Sequence, residues 1–378
     1  MPVSVRQLNR ATLARQLLLK REQLDVADAV HRVVALQAQE PASPYIALWD
    51  RLDPFDPADL DTAFAEQAVV KNQLMRVTLH AVAAEDYPTI HEAMQGTLRA
   101  ARLHDRRFRS EGVSIEDADA LIPDLLEFTT TARTIPDVER WLAARFGTPK
   151  PWVWWAIRQY GPFVHAMTGG PWAFGARPSY VGARSQARPG DAAASMRSLV
   201  RRYLSGFGPA TMADIAQFST IYRPPVKEAL ESLGDELVRS GGTGASTLYD
   251  IPEGLMPPED TPAPPRLLPM WESALLAYKD RARIVPPEYR TLAMRINGDV
   301  LPTLLVDGFV AGVWRPVEGG IEATAFHRLS DDDWAGLAAE ARSLLAFLAD
   351  RDPHVYQGRF AHWWSKLPAP AEVRMLGR

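Results

Sequence analysis

The chain has 378 residues, 47% hydrophobic and 23% charged, the balance of a globular protein long enough to bury its core without staples. It has no cysteine, which excludes disulfides, iron–sulfur ligation and cysteine-based zinc sites, and no metal or cofactor is expected. A net charge of −4 and a pI near 6.1 require any basic nucleic-acid surface to be local, with acidic residues segregated elsewhere.

In chain order, helices are predicted over residues 5–18, 25–36 and 44–52, followed by a hairpin between 69–76 and 78–82. A similar order recurs with helices near 115–128, 135–145 and 152–159 and short strands at 163–166 and 180–181, with Gly169-Gly170 between them. The third occurrence is the clearest. A helix ending near Tyr203 leads to Thr211, an N-cap with Asp214 at the third helical position, and to a helix over 212–218. Pro224-Pro225 then open a helix that stops at Gly234, and strands at 236–239 and 247–251 form a hairpin. Helix, helix, turn, helix, hairpin is the winged-helix plan, with the helix from Pro225 as its recognition helix.

The expected fold class is therefore α+β, built of tandem winged-helix units over 1–105, 106–190 and 191–265 and a C-terminal β-rich region over 266–378. Residues 256–269, rich in proline and acids, read as a linker. Strands are expected at 281–285, 292–296, 303–306 and 321–326, with turn signals at Asn297-Gly298 and Asp307-Gly308, before a final amphipathic helix over 331–348. No run approaches the ~18 apolar residues of a membrane span, and the first residues lack a signal peptide's apolar stretch, so a cytoplasmic location is expected.

Familiar catalytic signatures are missing. Basic residues cluster at Arg99, Arg102, Arg106 and Arg107, at Arg201 and Arg202, and at Lys279 and Arg281, while Arg315 follows Trp314. These are the candidate DNA-binding residues, although any one cluster alone reads as a solvated helix face. His31, His80, His91 and His165 read as ordinary buried or surface residues, and Trp152, Trp154 and Trp155 as core. Gln37 and Gln39 stand out. Pro41 and Pro44 discourage helix there, and in an extended segment residues two apart point to one side, so two amides can converge on one ligand.

The segment Val33–Gln39 resembles the Gln–apolar–Gln motif of the AlkZ-type branch of bacterial winged-helix DNA glycosylases. Leu74-Met75-Arg76-Val77-Thr78-Leu79-His80, Gly208-Pro209-Ala210-Thr211 with Asp214, and Leu267-Leu268-Pro269-Met270-Trp271-Glu272 match it in order. So do Asn297-Gly298 and the stretch from Asp307-Gly308 to Arg315, and the resemblance runs from Leu8 to about Asp332. Glu272 stands where an aspartate is expected. The related YcaQ-type branch carries aspartate in place of Gln39, so this chain resembles the AlkZ branch. The resemblance implies a monofunctional glycosylase acting on double-stranded DNA that carries alkylated or crosslinked guanine. It implies Gln37 and Gln39 as catalytic residues, excision of N7-alkylguanine, unhooking of azinomycin-type interstrand crosslinks, and a role in DNA repair and self-resistance as a monomer. The alternatives are a non-enzymatic winged-helix regulator and a glycosylase for another bulky N7-guanine monoadduct.

Overall fold

A computed structural model describes residues 3–186, 192–296, 298–359, 361–367 and 370–377. The fold is mixed α/β. β1 (Leu36–Gln37), β2 (Val69–Gln73) and β3 (Leu79–Ala83) form an antiparallel sheet in the order β1–β3–β2. β4 (Arg133–Thr134), β5 (Phe163–Ala166) and β6 (Ser179–Gly182) form a second, in the order β4–β6–β5. β7 (Val238–Gly241) and β8 (Thr247–Asp250) make a two-stranded ribbon. β9 (Arg266–Leu268), β10 (Thr303–Val306), β11 (Phe309–Val317), β12 (Gly320–Ala325) and β13 (Glu372–Leu376) form a five-stranded antiparallel sheet in reverse chain order.

Local chemistry explains the best-anticipated elements. Thr211 and Asp214 make a reciprocal capping box: the Asp214 N–H donates to the Thr211 hydroxyl at 3.2 Å, and the Thr211 N–H donates to the Asp214 carboxylate at 2.9 Å. Helix Arg223–Leu233 carries its prolines in the first turn and ends at Gly234, whose φ is 50°. Asp307 and Gly308 both have positive φ, 47° and 82°, as a tight hairpin turn requires. The other turn signal falls partly outside the described residues, at Asn297.

Three expectations fail. Residues 281–285 and 292–296 are not strands: the first is a turn, and Leu292 lies in the short helix Arg290–Ala293. Short apolar runs do not distinguish strand from buried turn, and Pro286-Pro287 end the first run before it can pair. The 256–269 linker is not wholly a linker, because its last residues form β9, with Leu267 and Leu268 fully buried. Helices Pro57–Ala65 and Tyr87–Leu103 were not anticipated. The apolar stripe of the second is thin, Ile90, Met94 and Leu98 only, with alanines, glycine and threonine between.

The first helix, Val5–Arg15, fastens distant parts together. Arg15 forms a bidentate pair with Asp250 at 2.6 and 2.8 Å. Arg6 and Arg10 hold Asp307, and the Asn9 amide donates to the Gly308 carbonyl at 2.6 Å. Two apolar cores result, and each draws residues from both the N-terminal half and the C-terminal region. Among the described residues no helix is long and apolar enough to cross a membrane.

Candidate active site

Register in the first sheet decides which side chains meet. Gln37 pairs with His80 across β1 and β3, and Asn72 pairs with the same His80 across β2 and β3. Ladder partners share a face, so Gln37, His80 and Asn72 lie on one side, and Leu36, Ala81 and Lys71 on the other. After the Ala38 N–H donates to the Leu79 carbonyl at 2.8 Å, the chain bends. Gln39 is exposed there, yet it lines the same cleft as Gln37.

The turn joining β2 to β3 carries Arg76 at φ 55°, ψ 15° and Val77 at φ 55°. Left-handed backbone at two successive non-glycine residues, one of them β-branched, is strained. It brings Arg76 against the sheet. The Arg76 Nη2 donates to Gln37 Oε1 at 2.5 Å and to His80 Nε2 at 3.0 Å. Gln37 Nε2 donates to the Thr78 hydroxyl at 3.0 Å, which in turn donates to the Met75 carbonyl at 3.2 Å. His80 Nδ1 donates to the Thr78 carbonyl at 2.9 Å, leaving Nε2 as the acceptor. Burial, reinforced by the Arg76 charge, pushes the His80 pKa well below 6.5, so the ring is neutral at physiological pH. Burial, with Arg281 nearby, lowers Arg76 to about 10.

Gln37, nearly buried, sits in the floor of a cleft of about 890 Å³, within the ~300–1,000 Å³ range of ligand clefts. Trp271 is in the wall, its indole N–H donating to the Gly298 carbonyl at 3.1 Å, and the fully exposed Ile296 is at the rim. Among the described residues five arginines (Arg76, Arg281, Arg290, Arg295, Arg359) but a single carboxylate, Asp299, line the cleft. A chain of net charge −4 thus concentrates positive charge where the glutamines lie. Arg281 Nε is buried with no hydrogen-bond partner among the described residues. Glu40 is not in the lining. It sits 3.6 Å from Arg359, and burial, opposed by Arg359 and Lys71, raises its pKa.

The predicted basic residues divide by location. Arg281 is in the cleft, and exposed Lys279 lines an adjoining groove that shares Gln217 and Thr220 with it. Arg102 donates to Gln159 at 3.0 Å, lies 4.2 Å from the Trp155 ring centre, and lines a small pocket that meets the cleft at Gln73. Arg106 is exposed. Others are engaged by carboxylates: Arg99 by Asp119 at 2.6 Å, Arg107 by Asp105 at 2.9 Å, Arg201 by Glu236 at 2.5 Å, Arg202 by Asp86 at 2.9 Å, and Arg315 by Glu322 at 2.8 Å. Sequence reasoning did not single out Arg76, Arg290, Arg295 or Arg359 as residues of this cleft. They are dispersed along the chain and converge only in three dimensions; the one available signal was that Arg76 falls inside a matching stretch.

Trp154 is core, as expected, but Trp152 is exposed, edge-on to Trp155 at 5.7 Å. Glu272 does not line the glutamine cleft. It forms a buried pair with Arg51 at 2.7 Å and caps helix Ser273–Leu276 by accepting from the Ala274 N–H at 3.0 Å.

Comparison with known proteins bears on this site. Residues 30–347 match the family described as DNA glycosylase AlkZ-like. The interstrand DNA cross-link repair glycosylase of Streptomyces sahachiroi is 26% identical over 349 residues, 86% of this chain and 91% of that protein. The solved structure of Streptomyces sahachiroi DNA glycosylase AlkZ superposes with a TM-score of 0.78 at 21% identity, covering 93% of this chain and 98% of the other.

Proposed function

The chain belongs to the AlkZ-like DNA glycosylase family and is a DNA glycosylase, and from that premise we propose that it hydrolyses the N-glycosidic bond of N7-alkylguanine in duplex DNA, with Gln37 and Gln39 as its catalytic residues. The substrates include interstrand crosslinks of the azinomycin type, and the activity serves DNA repair and self-resistance in a cytoplasmic monomer. The three helix-plus-hairpin segments are read as winged-helix units that carry the duplex. The single observation that carries the reading is that both glutamines line one broad basic cleft, with His80, the ladder partner of Gln37, held neutral by burial.

An N7-alkylated guanine already carries positive charge, so its departure needs no strong general acid. The C1′–N9 bond breaks with its electron pair passing to N9, the base leaves neutral, and the positive charge moves to the sugar. Water oxygen then bonds to C1′ and releases its proton to solvent, giving an abasic site and free alkylguanine. Glutamine has no useful proton affinity and cannot act as a general base. Its amide oxygen orients water and turns a fixed dipole toward the developing sugar cation, which is electrostatic preorganisation. A crosslinked nucleotide cannot swing out without its partner strand, and a cleft of about 890 Å³ suits that constraint better than a snug base pocket.

The test is a duplex with one N7-methylguanine, incubated with protein and then mild alkali to cleave at any abasic site. Wild type is expected to cut. Gln37→Ala and Gln39→Ala are each expected to be at least tenfold slower, a loss of about 1.4 kcal/mol in transition-state stabilisation, with folding and DNA affinity retained. Equal rates in all three proteins would refute the assignment of the glutamines.

A further inference from the structure

We propose that Arg76 is a positioning residue that fixes the orientation of the Gln37 amide, an inference that rests on the catalytic reading of Gln37. The hydrogen bonds around Gln37 form a closed ring that begins and ends in the Met75–Thr78 turn. Met75 O accepts from the Thr78 hydroxyl, which accepts from Gln37 Nε2, while Gln37 Oε1 accepts from Arg76 Nη2. The same Nη2 donates to His80 Nε2, whose other nitrogen donates to the Thr78 carbonyl. Arginine can only donate, so Gln37 must present its oxygen to Arg76. The Thr78 hydroxyl has spent its proton on Met75, so Gln37 must present its amino group there. The flip of the amide is therefore set from both ends.

An unrestrained glutamine side chain loses rotamer entropy when it is ordered, and here that ordering precedes substrate. Among the described residues one Oε1 lone pair and one Nε2 hydrogen remain uncommitted, available to water and sugar in the cleft that Gln37 lines. The left-handed backbone at Arg76 and Val77 is the local strain that brings the guanidinium back over the sheet, and strain of this kind collects at functional sites. Arg76 has a second attachment, to the carbonyl and ring of Phe218 in helix Met212–Ser219 at 3.3 and 5.3 Å. A purely structural role and a DNA-phosphate contact are therefore the readings to be separated from positioning.

A double-mutant cycle on single-turnover release of N7-methylguanine from duplex DNA separates them. Arg76→Gln is expected to lower the rate at saturating enzyme at least tenfold, to leave the Kd for undamaged duplex within threefold, and to add no further loss in a Gln37→Ala background. Arg76→Lys keeps the charge without the planar fork. It is expected to fold and bind DNA as wild type does and still to lose at least fivefold in rate, again only when Gln37 is present; it carries the test if the glutamine variant fails to fold. Losses that multiply in the double variants, or that fall on Kd, would overturn the inference in favour of the structural or phosphate reading. A wild-type rate in Gln37→Ala alone would instead overturn the catalytic reading of Gln37, so the two failures are distinguishable.

Discussion

Gln37 titrates nowhere near neutrality, and His80, bound into the same hydrogen-bond ring, is held neutral by burial and by Arg76. The rate of base release is therefore expected to be nearly flat between about pH 6 and 8, measured under single-turnover conditions. A sigmoidal rise with a midpoint in that window would assign a general base, with Glu40 the first candidate because burial raises its pKa. Gln37 and Gln39 were singled out by the flanking prolines and the family motif, but not for the reason expected. The strand ends at Gln37 and the chain bends at Gln39, so they share a cleft without an extended segment between them. Arg76 was not legible, because its importance depends on a left-handed turn at Arg76-Val77 that no propensity rule assigns to arginine or valine. The paired arginines were equally illegible. Nothing in the local sequence says that Arg202 meets Asp86, or Arg315 Glu322, rather than phosphate.

Among elements, several with local stop and start signals were read correctly, although helix Pro57–Ala65 was missed despite its Asp56 cap and Pro57. Those fixed by long-range packing were not read. The Thr211–Asp214 box and the Asp307-Gly308 turn set their own geometry. β9 and helix Tyr87–Leu103 owe their existence to what they pack against. Glu272 belongs to this scale. Its carboxylate is buried with the Arg51 guanidinium, at 1% and 0% side-chain exposure, and caps the following helix. Removing one partner of a buried pair leaves an uncompensated charge, so Glu272→Ala is expected to destabilise the fold by about 3–5 kcal/mol. Urea denaturation measures it, and a loss under 1 kcal/mol would show that the pair is dispensable.

On the scale of the whole molecule, DNA affinity and stability each carry a signature. Arg281 and Arg290 line the cleft with no carboxylate in ion-pair range among the described residues. Replacing either by alanine is expected to reduce the log–log salt slope of duplex binding by about 0.9, one phosphate contact each; an unchanged slope would remove that residue from the DNA surface. Stability should depend on pH through the buried His80 and His91 and the half-buried His165. Burial lowers His91 to about 4 and His165 to about 3, and depresses His80 as well, against about 6.5 in the unfolded chain. The unfolded state binds the extra protons, so this contribution is complete above pH 6.5 and is lost as pH falls from 6.5 toward the folded values, by up to about 1.4 kcal/mol per pH unit per histidine. His91→Phe, which keeps a ring against Tyr87, is expected to flatten the decline in unfolding free energy between pH 7 and 5, and an identical decline would contradict it.

The division into four successive segments was read from element order, but both apolar cores cross those boundaries, and the first helix joins the ends through Asp250 and Asp307. The glutamine cleft is made by that joining: its floor comes from β1 and the β2–β3 turn, and its far wall from residues after Trp271. The most direct test of the account is therefore the chemistry this assembled cleft performs on a duplex whose strands are linked through two guanine N7 atoms. With wild-type protein in excess, the account predicts that the linked duplex separates into two strands under denaturing conditions, one bearing an alkali-labile abasic site, while Gln37→Ala binds equally and is at least tenfold slower. Strands that remain linked with wild type, or that separate equally fast with Gln37→Ala, would contradict it.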